Sequence, residues 1–183
     1  MKDGVFNMPK AVTIMGRSSS ISNAFINGIV PAIEPTEEQI KTALDVLEQN
    51  VNDVRCVYCG AKKTEWDHLY PLIENKKHTG YITEIANLVP ACGKCNQSKG
   101  NKNWKEWMTS DAKLSPKTIA VPDLNKKIQL IEKYDKTFKK RRVNLEELAG
   151  KELWKCYEDS YEKLIEAMSN TQAIMNVIKQ RIK

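Results

Sequence analysis

The sequence predicts an α+β protein, a small turn-rich core set between two mainly helical arms. Three observations predict it. Two C-x2-C pairs, Cys56/Cys59 and Cys92/Cys95, stand in the middle of the chain. Apolar residues recur at helical spacing on both sides of them, and the stretch between them is short-patterned and β-favouring. On these grounds the chain divides into a mainly helical segment 1–50, a cysteine-bearing core 51–110 and a helical segment 111–183.

Composition narrows the classes. The 183 residues are 41% hydrophobic and 28% charged, with 8 Gly and 7 Pro, which excludes collagen-like, low-complexity and wholly disordered chains. No apolar run reaches the ~18 residues of a membrane span. Asp3 stands where a secretory leader wants basic residues, and Val12-Thr13-Ile14-Met15 is short for its apolar stretch. A soluble, cytoplasmic protein with no membrane partner is therefore expected. The formal charge is +6, distributed −2, +3 and +5 over the three segments. Positive charge in the core and tail suits an anionic partner.

In the first segment, Ser18 to Phe25 reads as a short helix ending at Gly28. Thr36-Glu37-Glu38-Gln39 after Pro35 is a capping box, and Ile40, Ala43, Leu44 and Leu47 form the stripe of the helix it starts, which should stop near Asn50. In the last segment Leu124, Ile128, Ile131 and Phe138 make one stripe, ended by Lys139-Lys140-Arg141-Arg142. Asn144-Leu145-Glu146-Glu147 is a second capping box. Beyond it Leu153, Tyr157, Tyr161, Leu164, Ile165, Met168, Ile174, Met175, Ile178 and Ile182 keep helical spacing. That stripe packs either on the chain's own core or on a second copy.

The cysteines decide the chemistry of the core. Five is an odd number, which argues against a fully paired disulfide framework. The x2 spacing lets two thiolates of one tight turn reach a single tetrahedral ion, and 32 residues separate the pairs. A structural zinc on Cys56, Cys59, Cys92 and Cys95 is expected. Cys156, between Trp154 and Tyr157, is expected to be a small buried residue. Trp104 and Trp107 are expected to pack the core against the arms, and His78 to sit solvated in a polar loop.

Between the pairs, Trp66-Asp67-His68-Leu69-Tyr70-Pro71 sets a carboxylate beside an imidazole. On a strand these neighbours point to opposite faces unless it bends or ends there. Asn87 precedes a short apolar run into the second pair, which continues as Cys95-Asn96-Gln97-Ser98-Lys99-Gly100. Four lysines and no acid lie from Lys94 to Lys105.

The order C-x2-C, D-H-x-x-P, an Asn before an apolar run, then C-x2-C-N-x-x-K-G resembles the HNH endonucleases, in their zinc-stabilised branch, over about Arg55 to Lys102. The resemblance implies a ββα-metal (treble-clef-like) core and one-metal phosphodiester hydrolysis. It makes His68 the general base, a task that a neutral imidazole suits. It places Asp67 and Asn96 on a catalytic cation, and Asn87 where it steadies the loop and orients the histidine. Hard oxygen donors favour Mg2+ or Mn2+ over zinc there. Lys99 and Lys102 fall where the family grips the DNA backbone; Arg17, ahead of a helix start, is a further phosphate candidate. Lys139 to Arg142 either touch DNA or end a helix, and Asn96 is either a ligand, the N-cap of a helix after Cys95, or both.

A type II restriction-like enzyme cutting double-stranded DNA as a homodimer is the expectation, bacterial or phage-encoded. The alternatives are a phage or mobile-element nicking endonuclease and a non-catalytic zinc-bound nucleic-acid-binding module.

Overall fold

The computed structural model describes residues 8, 9 and 11–182; the start of the chain at 1–7, where Asp3 bears on the leader question, lies outside them. The chain divides into two compact units, Met1–Phe25 with Ala149–Lys183, and Ile26–Leu148. It is a mixed α+β structure whose four-cysteine cluster lies in the second unit. No helix among the described residues is long and apolar enough to cross a membrane.

In the first unit, helix α1 (Ser18–Asn27) and the single-turn 3-10 segment before it pair with the 31-residue helix α7 (Lys151–Arg181). Phe25 stacks on Tyr157 at 4.3 Å, the Tyr157 hydroxyl donates to the Phe25 carbonyl at 3.0 Å, and Ile14 N–H donates to Gln172 Oε1 at 2.9 Å. Met168 is buried there. Leu153, Ile174, Ile178 and Ile182 are exposed, so the apolar stripe of α7 is only partly covered. Cys156, expected to be buried, is exposed: it falls on the outer side of α7.

The second unit holds the remaining elements. Helix α2 (Glu37–Val46) starts with the expected box, Thr36 Oγ1 accepting from Gln39 N–H and Gln39 Oε1 accepting from Thr36 N–H. Strands β1 (Glu65–His68) and β4 (Leu88–Ala91) pair antiparallel, with Glu65 opposite Ala91 and His68 opposite Leu88. Between them lies a second hairpin of β2 (Ile73–Glu74) and β3 (Lys77–His78). His78 therefore sits half-buried in a strand, rather than solvated in a loop, because Asn75 and Lys76 both take positive φ and turn the chain back.

Helix α3 (Gly93–Lys99) follows β4 directly, then α4 (Trp104–Thr109), α5 (Leu124–Thr137) and the short α6 (Leu145–Ala149). Glu147 N–H donates to Asn144 Oδ1 at 3.2 Å, so the second capping residue also caps. The main core is shared: Ala43 and Leu47 from the α2 region, Tyr58, Leu69 and Val89 from the middle, Trp104, Trp107 and Met108 from α4, and Ile131 and Tyr134 from α5. Trp107 is 1% exposed, meets Tyr58 edge-on at 5.2 Å and donates from Nε1 to Ser98 Oγ. Both core tryptophans pack as expected. Tyr134 reaches furthest, its hydroxyl donating to the carbonyls of Ile85 and Leu88 on either side of Asn87.

Candidate metal centre and active site

The first cysteine pair sits on a turn that only its sequence allows. Cys56 N–H donates to the Ala61 carbonyl and Gly60 N–H to the Cys56 carbonyl, both at 2.8 Å, with Gly60 at φ +77°. Glycine takes that conformation without steric cost. Val57 N–H donates to the Pro90 carbonyl and Thr64 N–H to the Ala91 carbonyl, which docks the turn on β4. The second pair straddles the start of α3, with Cys92 at its N-cap position.

All four sulfurs lie within 4.8 Å of one another, and Cys59 Sγ is 3.7 Å from Cys92 Sγ. A tetrahedral zinc with Zn–S near 2.3 Å needs edges of about 3.8 Å. The donor set fits zinc. Without a cation the group cannot ionise as one. Hydrogen bonds from Cys56 and Cys95 hold Cys59 down at about 2, while Cys59 in turn pushes Cys56 up to about 12 and, with Cys56, raises Cys95. A dication removes that conflict because metal ligation takes thiolates.

On β1, Asp67 and His68 point to opposite faces and the strand ends at His68. Asp67 is 4% exposed; its Oδ2 accepts from the Tyr58 hydroxyl at 2.6 Å and lies 3.1 Å from Lys99 Nζ, and its Oδ1 is 3.2 Å from the same nitrogen. Burial pushes Asp67 up and Lys99 down, and the attraction between them opposes both shifts. Burial also puts the Tyr58 hydroxyl well above its usual range, with Asp67 adding to it.

Lys99 departs from its expected place. It is 0% exposed and faces Asp67, so it does not stand on the outer side of α3 where a phosphate would meet it. The cause is helical spacing: α3 begins at Gly93, so Lys99 falls one turn beyond the buried Cys95 on the inner side. The same early start puts Asn96 inside the helix, so it is not the N-cap. Asn96 Nδ2 donates to Glu65 Oε2 at 2.7 Å. Asn96 and Asp67 do not bond each other among the described hydrogen bonds. The hard oxygens of Asp67, Glu65 and Asn96 suit a divalent cation, but the Asp67 carboxylate is held by Lys99 and Tyr58.

His68 turns the other way, with Nε2 2.9 Å from Thr83 Oγ1. Burial, then the Lys99 charge, lowers its pKa to about 4, so the ring is neutral at neutral pH. The Asn87 side chain is 1% exposed and stitches the loop that follows: Oδ1 accepts from Tyr70 N–H at 2.9 Å, and Nδ2 donates to the carbonyls of Tyr70 and Ile82. Its backbone carbonyl accepts from Leu69 N–H at 2.8 Å. Asn87 thus fixes the backbone after His68, while the ring itself is met by Thr83.

Lys102 stays exposed, its ammonium donating to the Ser98 carbonyl at the end of α3. Arg17 is exposed in the other unit. The basic run is structural in its last three members. Lys140 pairs with Asp135 and lies over Tyr70, Arg141 makes two bonds to the buried Glu84, and Arg142 donates to the Thr79 carbonyl.

Three residues that touch the expected site were missed from the sequence: Tyr58, Glu65 and Thr83. Glu65 was legible, since it stands two residues before Asp67 and so on the same face of β1. Tyr58 and Thr83 carry no spacing signal, because they come to Asp67 and His68 from other turns. Compared with known proteins, the chain matches no curated protein and no solved structure. The family model for HNH endonuclease matches residues 56–102, from the first cysteine of the cluster through β1, β4 and α3 to Lys102.

Proposed function

We propose that the chain is a metal-dependent DNA endonuclease that cuts duplex DNA by phosphodiester hydrolysis, in the manner of a type II restriction enzyme. The observation that carries this reading is His68, held neutral at the end of β1 within the matched segment. With Nε2 bonded to Thr83, Nδ1 is the nitrogen that takes a proton from the attacking water. Asn87 keeps that nitrogen in place by fixing the loop at Tyr70. Asp67 and Asn96 are the ligands of Mg2+ or Mn2+. The cation, when bound, neutralises the charge that develops at phosphorus and at the leaving oxygen.

Lys102 supplies a sequence-blind phosphate contact, and Arg17 a second. Lys99, being buried, leaves that set. Two copies of the chain, joined along the uncovered apolar residues of α7, address the two strands. The proposed division of the chain is a mainly helical segment 1–50, a core 51–110 and a helical segment 111–183.

The test is cleavage of supercoiled plasmid by purified, zinc-loaded protein in Mg2+ or Mn2+. Discrete linear fragments with 5′-phosphate and 3′-hydroxyl ends are expected, and His68→Ala should abolish them while keeping DNA binding. Nicked circles alone would select a nicking enzyme. Salt-dependent binding with no cleavage would select a non-catalytic module and overturn the proposal.

A further inference from the structure

Lys99 is the most buried charged side chain among the described residues, at 0% exposure, and the hydrogen-bond partners of its ammonium are all oxygens. The ammonium lies 3.1 and 3.2 Å from the two Asp67 oxygens, 2.7 Å from the His68 carbonyl and 3.3 Å from the Gly100 carbonyl. These come from the end of β1 on one side and the end of α3 on the other. Tyr58 adds a 2.6 Å hydrogen bond to the same carboxylate. Carboxylate and carbonyl oxygens converging on one charge are the surroundings that a hard cation takes. Here the charge is the chain's own.

We propose that Lys99 is a resident cation of the HNH domain, which holds the Asp67 carboxylate in reserve and must leave it before a divalent cation can be held there. The inference rests on the reading of Asp67 as a metal ligand. Its physical basis is charge balance. A buried carboxylate stripped of its partner is strongly unfavourable, so Asp67 needs one cation at all times. Two cations crowded onto one carboxylate in a low-dielectric interior repel each other, so it does not keep both. Lysine suits such an exchange: its ammonium is compact and strongly hydrated on a flexible four-carbon stem, so release to water recovers hydration. Lys99 sits at the end of α3, three residues from Lys102, so the released ammonium emerges beside the proposed phosphate contact. The domain thus stays charge-balanced without the catalytic metal, and loading that metal is coupled to freeing a DNA-facing lysine.

The experiment uses the full chain, zinc-loaded, with Mn2+ as probe and free Mn2+ read by electron paramagnetic resonance. Lys99→Met should bind Mn2+ at least about tenfold more tightly than the parent, because the competing ammonium is gone. Asp67→Asn should remove that binding in both backgrounds. A second measurement needs no variant: reductive methylation with peptide mapping, in the absence and presence of saturating Mg2+. Lys99 should be protected without Mg2+ and labelled with it, while Lys102 is labelled in both. This decides the matter if Lys99→Met does not fold. Equal Mn2+ affinities that still depend on Asp67, or a Lys99 that stays protected under saturating Mg2+, overturn the exchange and leave the nuclease reading standing. No Asp67-dependent binding in any protein overturns both the exchange and the ligand role of Asp67.

Discussion

Tyr134→Phe removes one oxygen atom and tests how α5 holds the loop at Ile85–Leu88. The hydroxyl is buried and donates to two carbonyls, Ile85 and Leu88, which bracket Asn87. Burial raises its pKa further above the ordinary tyrosine value, so it is a neutral donor at any working pH. Phenylalanine fills the same volume apart from the oxygen, so the cavity term is small. What remains is the cost of two buried acceptors losing their donor. Leaving a buried polar group unsatisfied costs about 1–3 kcal/mol, against about 1 kcal/mol for the net worth of a typical hydrogen bond. With both carbonyls sharing one proton, a loss of about 2 kcal/mol is expected. Urea denaturation followed by the fluorescence of Trp104 and Trp107, in the same core, reads it directly. The midpoint should fall with the slope unchanged. Because the loop also carries the Asn87 bonds, amide exchange at Tyr70 should quicken. A loss below about 0.5 kcal/mol would mean that the hydroxyl is solvated in the folded state, and the clamp would be refuted.

Elemental analysis should find one zinc per chain; Cys92→Ser should lose it and melt the cysteine-bearing core, whereas Cys156→Ser, exposed and outside the cluster, should keep it. Acid should destabilise the protein through His68. Its folded pKa of about 4 lies below the ordinary 6.5, so the unfolded chain takes up a proton that the folded one refuses, and stability is lost as pH falls from 6.5 towards 4. Between pH 7 and pH 5 that loss is about 2 kcal/mol, and His68→Gln should abolish it. Matched urea curves of the two proteins at both pH values check it; parallel losses in both would show that the imidazole is not shielded.

The features legible in the sequence are those fixed by local spacing. The cysteine pairs, the Thr36 capping box, the stripe of α5 and the burial of Trp104 and Trp107 all follow from residues a few positions apart. The illegible features depend on which loops meet. The β2–β3 hairpin turns on Asn75-Lys76, without the glycine that usually marks such a turn, so it reads as a polar loop. Lys99 reads as a surface lysine because its partner is 32 residues away. Its place follows from the start of α3 at Gly93 rather than after Cys95, a shift of a few residues that turns a side chain from solvent to core. Cys156 failed for another local reason: sequence neighbours lie about 100° apart around a helix, so standing beside Tyr157 does not put it on the covered face of α7.

The residues that flank the matched segment are needed for a reason of scale. The segment matched to the HNH family is short, and domains of that size bury too little surface to be stable on a hydrophobic core alone. A zinc ion on the four clustered cysteines would supply part of the deficit by tying two turns together. The rest comes from outside the segment. Ala43, Leu47, Ile131 and Tyr134 close the same core that holds Tyr58 and Val89. Arg141, from the stretch after α5, meets Glu84, three residues before Asn87. The groups that fix His68 are therefore braced from the flanks: the Asn87 loop through Tyr134 and Arg141, and Thr83 through backbone bonds to Pro31 and from Ile33. A fragment cut to residues 56–102 would keep the four sulfur ligands and lose these braces. It should bind zinc and yet fail to hold the loop that positions the imidazole.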